Sequence, residues 1–181
     1  MESKTIYFED VLEDNTGKTF ELALEKILSQ GIKKVVLAST TGATAQKALD
    51  LFGPRGVQLV VIPHQSGFMR PENPFPQSLA KTLREAGHEV HFATMLFHTD
   101  GLYGVSAPTI IANVLRCFSQ GVKVCFEIVL MAADAGLVAD GETVLAIAGT
   151  GKGADTALVM QAATTQQMNK LHVNEILCKP L

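Results

Sequence analysis

The stretch Lys34-Val35-Val36-Leu37-Ala38-Ser39-Thr40-Thr41-Gly42-Ala43-Thr44 carries the clearest structural signal in the chain. An aliphatic run gives way to a turn rich in hydroxyls, which leads directly into a helix-forming segment. The same pattern returns at Thr143-Val144-Leu145-Ala146-Ile147-Ala148, followed by Gly149-Thr150-Gly151-Lys152-Gly153-Ala154-Asp155-Thr156. A strand, a small-residue turn and a helix N-terminus together point free backbone N–H groups and partial positive charge outward. Two such turns, on strands that could be neighbours, predict a single anion-binding cleft, suited to a phosphorylated small molecule.

Outward from these turns, helices alternate with buried strands. Asn15-Thr16 can cap a helix to about residue 30, with Phe20, Leu24, Ile27 and Leu28 at helical spacing and Gly31 as its stop. Strands are predicted over 32–38, 57–62, 89–93, 143–148 and 174–179. Helices are predicted over 42–52, 77–86, 106–120 and 154–169. Residues 122–135 are ambiguous between helix and strand by periodicity, but their length, Ala132-Ala133 and the Gly136 stop favour helix. Residues 63–76 read as a Pro- and Gly-rich loop, and 95–105 as a mobile lid. No repeat or linker appears, so residues 1–181 are expected to form one domain. This alternation predicts an α/β protein with three layers, α/β/α, around a mostly parallel sheet. Ligands of such sheets sit at the carboxyl ends of the strands, where the strand order reverses.

The composition is that of an ordinary folded domain, 47% hydrophobic and 18% charged. A net charge of -3 supplies no basic block, so nucleic acid is not expected as a partner. Met1-Glu2-Ser3-Lys4-Thr5 has no apolar h-region, and the apolar run over 122–138 is broken by Lys123, Glu127 and Asp134. Neither a signal peptide nor a membrane span is therefore expected. Cys117, Cys125 and Cys178 are odd in number and lack paired metal spacing, so no metal site is expected. Reduced thiols and a cytoplasmic location are the simplest reading, with Cys117 and Cys125 in the core.

Ala38-Ser39-Thr40-Thr41-Gly42-Ala43-Thr44-Ala45 resembles the phosphate-binding turn of the pyruvate kinase C-terminal domain. The loop from Gly149 to Thr156 falls in the place of that domain's second effector loop. The chain more closely resembles a family of stand-alone proteins with that fold. The segments that carry this likeness are Ser119-Gln120-Gly121-Val122-Lys123-Val124-Cys125-Phe126-Glu127, Met131-Ala132-Ala133-Asp134-Ala135-Gly136-Leu137 and Gly153-Ala154-Asp155-Thr156-Ala157. Tyr7-Phe8-Glu9 and Gly67-Phe68 also fit. The resemblance implies a mixed five-stranded sheet of order 3-2-1-4-5 with the last strand antiparallel. It further implies flavin mononucleotide (FMN) as ligand, with the family's biochemical role unassigned. Pyruvate kinase activity is not implied, because its catalytic groups belong to a barrel domain with no counterpart here. Where sugar-bisphosphate-sensing kinases commonly have a basic residue after the turn glycine, this chain has Ala43, and Lys152 can supply a compensating cation. A homo-oligomer is also expected.

The residues expected to hold the ligand are Ser39, Thr40, Thr41, Gly42, Ala43 and Thr44 in the first turn, then His64, Gly67 and Phe68. In the second loop they are Gly149, Thr150, Lys152, Gly153, Ala154, Asp155 and Thr156. Four hydroxyls in the first turn exceed what helix capping alone requires. The second loop is equally readable as an ordinary strand-to-helix turn, with Asp155 as a cap. Its glycines would allow close approach of a ligand to backbone. Phe68 can wall an aromatic ring or simply pack. His98, Asp100 and Tyr103 can form an acid–base group or an ordinary polar loop. Glu127 and Asp134, on one side of an apolar helix, are expected to be buried and structural, paired with Lys123 or backbone donors. Three functions remain open: an FMN protein, possibly a redox enzyme; a non-catalytic sensor of a phosphorylated metabolite; and a hydrolase or isomerase using His64 or His98.

Overall fold

Lys34–Ala38 forms β2 at the centre of the sheet, with Val35 and Leu37 buried on one face and Val36 on the other. The computed structural model describes residues 2–10 and 12–181. Its strands are β1 (Ile6–Phe8), β2, β3 (Gln58–Ile62), β4 (Glu89–Val90), β5 (Thr143–Ala148), β6 (Thr156–Gln161) and β7 (His172–Pro180). Its α-helices are α1 (Thr16–Gln30), α2 (Ala43–Phe52), α3 (Gln77–Glu85), α4 (Asp100–Tyr103), α5 (Ala107–Arg116) and α6 (Gln120–Asp134).

The fold is α/β in three layers, as the alternation predicts. Helices α1 to α3 cover one face through Phe20, Ala23, Ile27, Ala48, Phe52 and Leu83, which meet Val35, Leu37, Leu59 and Val61. On the other face α6 alone spans β2, β3, β5 and β6. Eleven of its fifteen residues are buried, because α5 closes over its outer side. The segment over 122–135 is thus helix, and burial on all sides explains why its periodicity is ambiguous. Each large apolar side chain so buried contributes roughly 1.5–3 kcal/mol.

The sheet order is β1-β7-β6-β5-β2-β3-β4. It corrects the expected five strands to seven. Residues 154–169 do not form a helix. Thr156–Gln161 is β6, antiparallel to both β5 and β7, and Thr165–Lys170 is a short 3-10 stretch. Thr-Ala-Leu-Val-Met-Gln mixes helix and strand formers in one unbroken apolar run, so pairing on both edges decides its state. The antiparallel strand is therefore β6, and the expected last strand, β7, is separated from β5 by it. β1, over residues for which no strand is predicted, adds a parallel edge beside β7.

β2 and β5 are parallel neighbours, as the two-turn argument requires. From β2 the chain winds out to β3 and β4, and from β5 the other way to β6 and β7. The crevice of such a sheet therefore opens beyond Ala38 and Ala148. No helix among the described residues is long and apolar enough to cross a membrane. Cys117, expected in the core, is exposed, because α5 packs on α6 rather than on the sheet; Cys125 is buried, and burial pushes its thiol up.

Candidate functional site

A cleft of about 900 Å³ opens at this reversal point. Ser39, Thr40, Thr41, Ala43 and Thr44 line it from the first turn, and Gly149, Gly151, Lys152 and Gly153 from the second. His64 and Phe68 stand on a third side, after β3. Gly42 does not face the cleft. It starts α2 at φ 87°, a left-handed conformation that favours glycine, and its missing Cβ leaves room for Leu79 and Pro76. Gly67, Thr150, Ala154, Asp155 and Thr156 also lie outside the lining.

The first turn leads into α2, as the sequence predicts. The Ser39 hydroxyl accepts the Ala45 amide at 3.2 Å, while the amides of Ala43 and Thr44 belong to the first turn of α2, where no helical acceptor exists. The second loop differs from expectation. Without a helix after it, it has no dipole to contribute; it is the connection of a β-hairpin. Asp155 braces it, accepting the Thr150 amide at 2.8 Å and the Thr156 hydroxyl at 2.7 Å. The Thr16 hydroxyl accepts the Ala154 amide at 2.8 Å.

The glycines here serve the loop's own packing. A Cβ on Gly149 would stand 2.6 Å from the Gly153 carbonyl oxygen, and one on Gly153 would stand 2.4 Å from the Thr16 hydroxyl. The Lys152 ammonium donates to the Leu12 carbonyl. Among the described residues the buried Thr150 hydroxyl has no partner.

Cations outnumber carboxylates on the lining of the cleft. Lys47, Arg70, Lys123 and Lys152 line it against Asp14 and Glu127. Asp14 receives the Thr16 amide at 3.1 Å and the Lys47 ammonium at 3.0 Å. Hydrogen bonding from Thr16, then from Lys47, holds its carboxyl down to about 2. Met69, also on the lining, carries a positive φ of 61° without being glycine, a conformation that concentrates at functional sites.

The far wall is a polar network. On α6, Lys123 and Glu127 are buried and form an ion pair of 2.5 Å. The other Glu127 oxygen accepts the Phe97 amide at 2.8 Å and lies 3.4 Å from His98 Nδ1. The Phe68 ring sits between two imidazoles, edge-on to His64 at 4.9 Å and to His98 at 5.1 Å between centroids. His64 Nε2 lies 3.3 Å from the Thr40 hydroxyl, which ties this wall to the first turn. Burial pushes both imidazoles below their usual range and lowers the Lys123 ammonium. Neutral imidazoles beside a buried carboxylate are suited to taking up or releasing a proton.

Lys123 is the partner expected for Glu127, but the placement of this pair on the cleft wall is not signalled by its spacing. Asp134 is exposed rather than buried and accepts the Thr165 amide at 2.8 Å. Tyr103 is exposed, and Asp100 accepts the Thr109 amide at 3.2 Å, so neither joins His98 at the cleft. The segment read as a mobile lid contains two short helical stretches, Leu96–His98 and Asp100–Tyr103. Its start is tied down by Glu127 and by the Gln65 side chain, which accepts the Met95 amide at 2.8 Å.

No family model matches the chain. Among solved structures it is similar to a pyruvate kinase from Cryptosporidium parvum, with 15% identity over 78% of this chain and 21% of the kinase, at a TM-score of 0.40. It is similar to the same organism's pyruvate kinase in complex with ADP, with 16% identity over 78% of this chain and 22% of that one, again at 0.40. The chain spans about a fifth of the length of these kinases.

Proposed function

We propose that the cleft binds a phosphorylated small molecule carrying an aromatic group, with flavin mononucleotide the ligand that the sequence resemblance favours. The observation that carries this reading is the pairing of two unlike ends in one cleft. One end is the hydroxyl-rich turn at the start of α2; the other is the Phe68 ring between His64 and His98. The phosphate lies on Ser39, Thr41, Ala43 and Thr44, where amides and hydroxyls donate. The excess of cations on the lining adds to this attraction.

A bound flavin would supply two-electron redox chemistry. The chain's own part is to hold the phosphate, to place the ring against Phe68 and to offer a proton-exchanging group. His98 fills the last role, since Glu127 occupies its Nδ1 and leaves Nε2 to exchange a proton.

Titration of wild type and Thr44→Ala with flavin mononucleotide and riboflavin tests the reading. Each lost hydrogen bond to a charged phosphate should weaken binding by about 1.5–3 kcal/mol. Wild type should therefore prefer flavin mononucleotide strongly, and Thr44→Ala should narrow the difference. Equal affinity of wild type for both ligands would overturn the phosphate role.

A further inference from the structure

Away from the cleft, α4 and α5 carry an apolar face that nothing among the described residues covers. Leu102, Tyr103, Val105, Ile110, Val114 and Phe118 are each more than half exposed. Ile110, Val114 and Phe118 recur every four residues along α5 and the turn after it, so they share one side. The opposite side is already occupied, since Ala112 and Leu115 pack on Phe97, Phe126 and Leu130. α4 packs directly on α5, and Asp100 holds the Thr109 amide, so the two exposed sets adjoin.

We propose that this face pairs with the same face of a second copy of the chain. Area is the first argument. The six side chains expose on the order of 700 Å², above the roughly 300–600 Å² of the largest patch on a typical monomer. It approaches the ~800 Å² that each partner gives to a stable pair. Charge is the second argument. Between residues 101 and 118 the one charged side chain is Arg116, and it is turned to Asn113 and Gln120. A two-fold contact sets a patch against its own copy, and an uncharged patch meets its copy without like-charge repulsion. A helix that lies on a lipid surface carries a basic rim, which this face lacks. Because His98 lies at the start of the same segment, pairing also braces the wall it contributes to the cleft.

Sedimentation equilibrium of the full chain over a wide concentration range tests the proposal, using wild type, Val114→Glu and Phe118→Glu. Both positions are exposed, so circular dichroism and thermal melting should match wild type. The expected result is a wild-type species of twice the chain mass that dissociates on dilution, with both variants monomeric throughout. Wild type that stays monomeric up to its solubility limit would overturn the proposal. So would a dimer that survives both substitutions, which would place the contact elsewhere. A wild-type monomer that binds uncharged phospholipid vesicles through Val114 and Phe118 would also overturn it, in favour of a lipid partner.

Discussion

Glu127 receives the Lys123 ammonium on one carboxylate oxygen and the Phe97 amide on the other, so it both neutralises a buried cation and holds the segment that carries His98. Glu127→Gln would leave Lys123 buried without a counter-charge. Stability in urea should fall by about 3–5 kcal/mol, the usual result of breaking a buried pair. The double replacement Lys123→Met with Glu127→Leu should lose much less, because no charge is stranded. A single variant as stable as wild type would contradict the pairing. The histidines make a separate prediction. His64, His88 and His98 all titrate below their ordinary 6.5 in the folded chain, chiefly because burial disfavours the charged ring. The unfolded chain therefore takes up protons first on acidification, and stability falls as pH drops from 6.5 towards the folded values. Unfolding free energies measured from pH 7.5 to 5 should show this slope, and His88→Asn should flatten it. A slope unchanged by that substitution would remove His88 from the account. The Lys123–Glu127 spacing is legible as a pair four residues apart on a helix. Its place at the cleft is not, because helical periodicity says nothing about which sheet edge a helix overhangs.

At the scale of elements, the β2 turn into α2 was readable because a glycine, a hydroxyl run and an aliphatic strand meet there in one order. The loop after β5 has the same ingredients and a different outcome. Thr156–Gln161 is drawn into the sheet by β5 and β7, and long-range pairing of this kind leaves no mark in local composition. Hydrogen exchange should accordingly find the amides of Leu158 and Val159 as protected as those of β2. Fast exchange there would contradict β6 as an interior strand. The close approach of α6 to this strand is a second consequence. A Cβ on Gly121 would stand 2.1 Å from the Thr156 hydroxyl, so Gly121→Ala should cost about 1–3 kcal/mol by overpacking. Denaturant unfolding checks this, and the loss should shrink when Thr156 is also replaced by glycine. Gly153→Val should destabilise the ligand-free chain too, because its side chain would collide with Thr16 and Asp14.

For the whole molecule, the position of the cleft follows from topology more than from any one motif. β2 and β5 are neighbours, the chain leaves them in opposite directions, and the two loops that follow them meet across the reversal. The first turn was legible in sequence; the pairing of β2 with β5 came only as what the family resemblance implies, and the hairpin form of the second loop was hidden. The far wall was not legible either, since α6, Phe68 and His98 come together only through long-range packing. The most direct test of the central claim is an amide-resolved NMR titration of the full chain with flavin mononucleotide, repeated with riboflavin. Large shifts are expected at Ala43 and Thr44 with flavin mononucleotide that riboflavin does not reproduce, together with shifts around Phe68 from both. Equal shifts at Ala43 and Thr44 with both ligands, or shifts confined to residues away from the cleft, would contradict the claim.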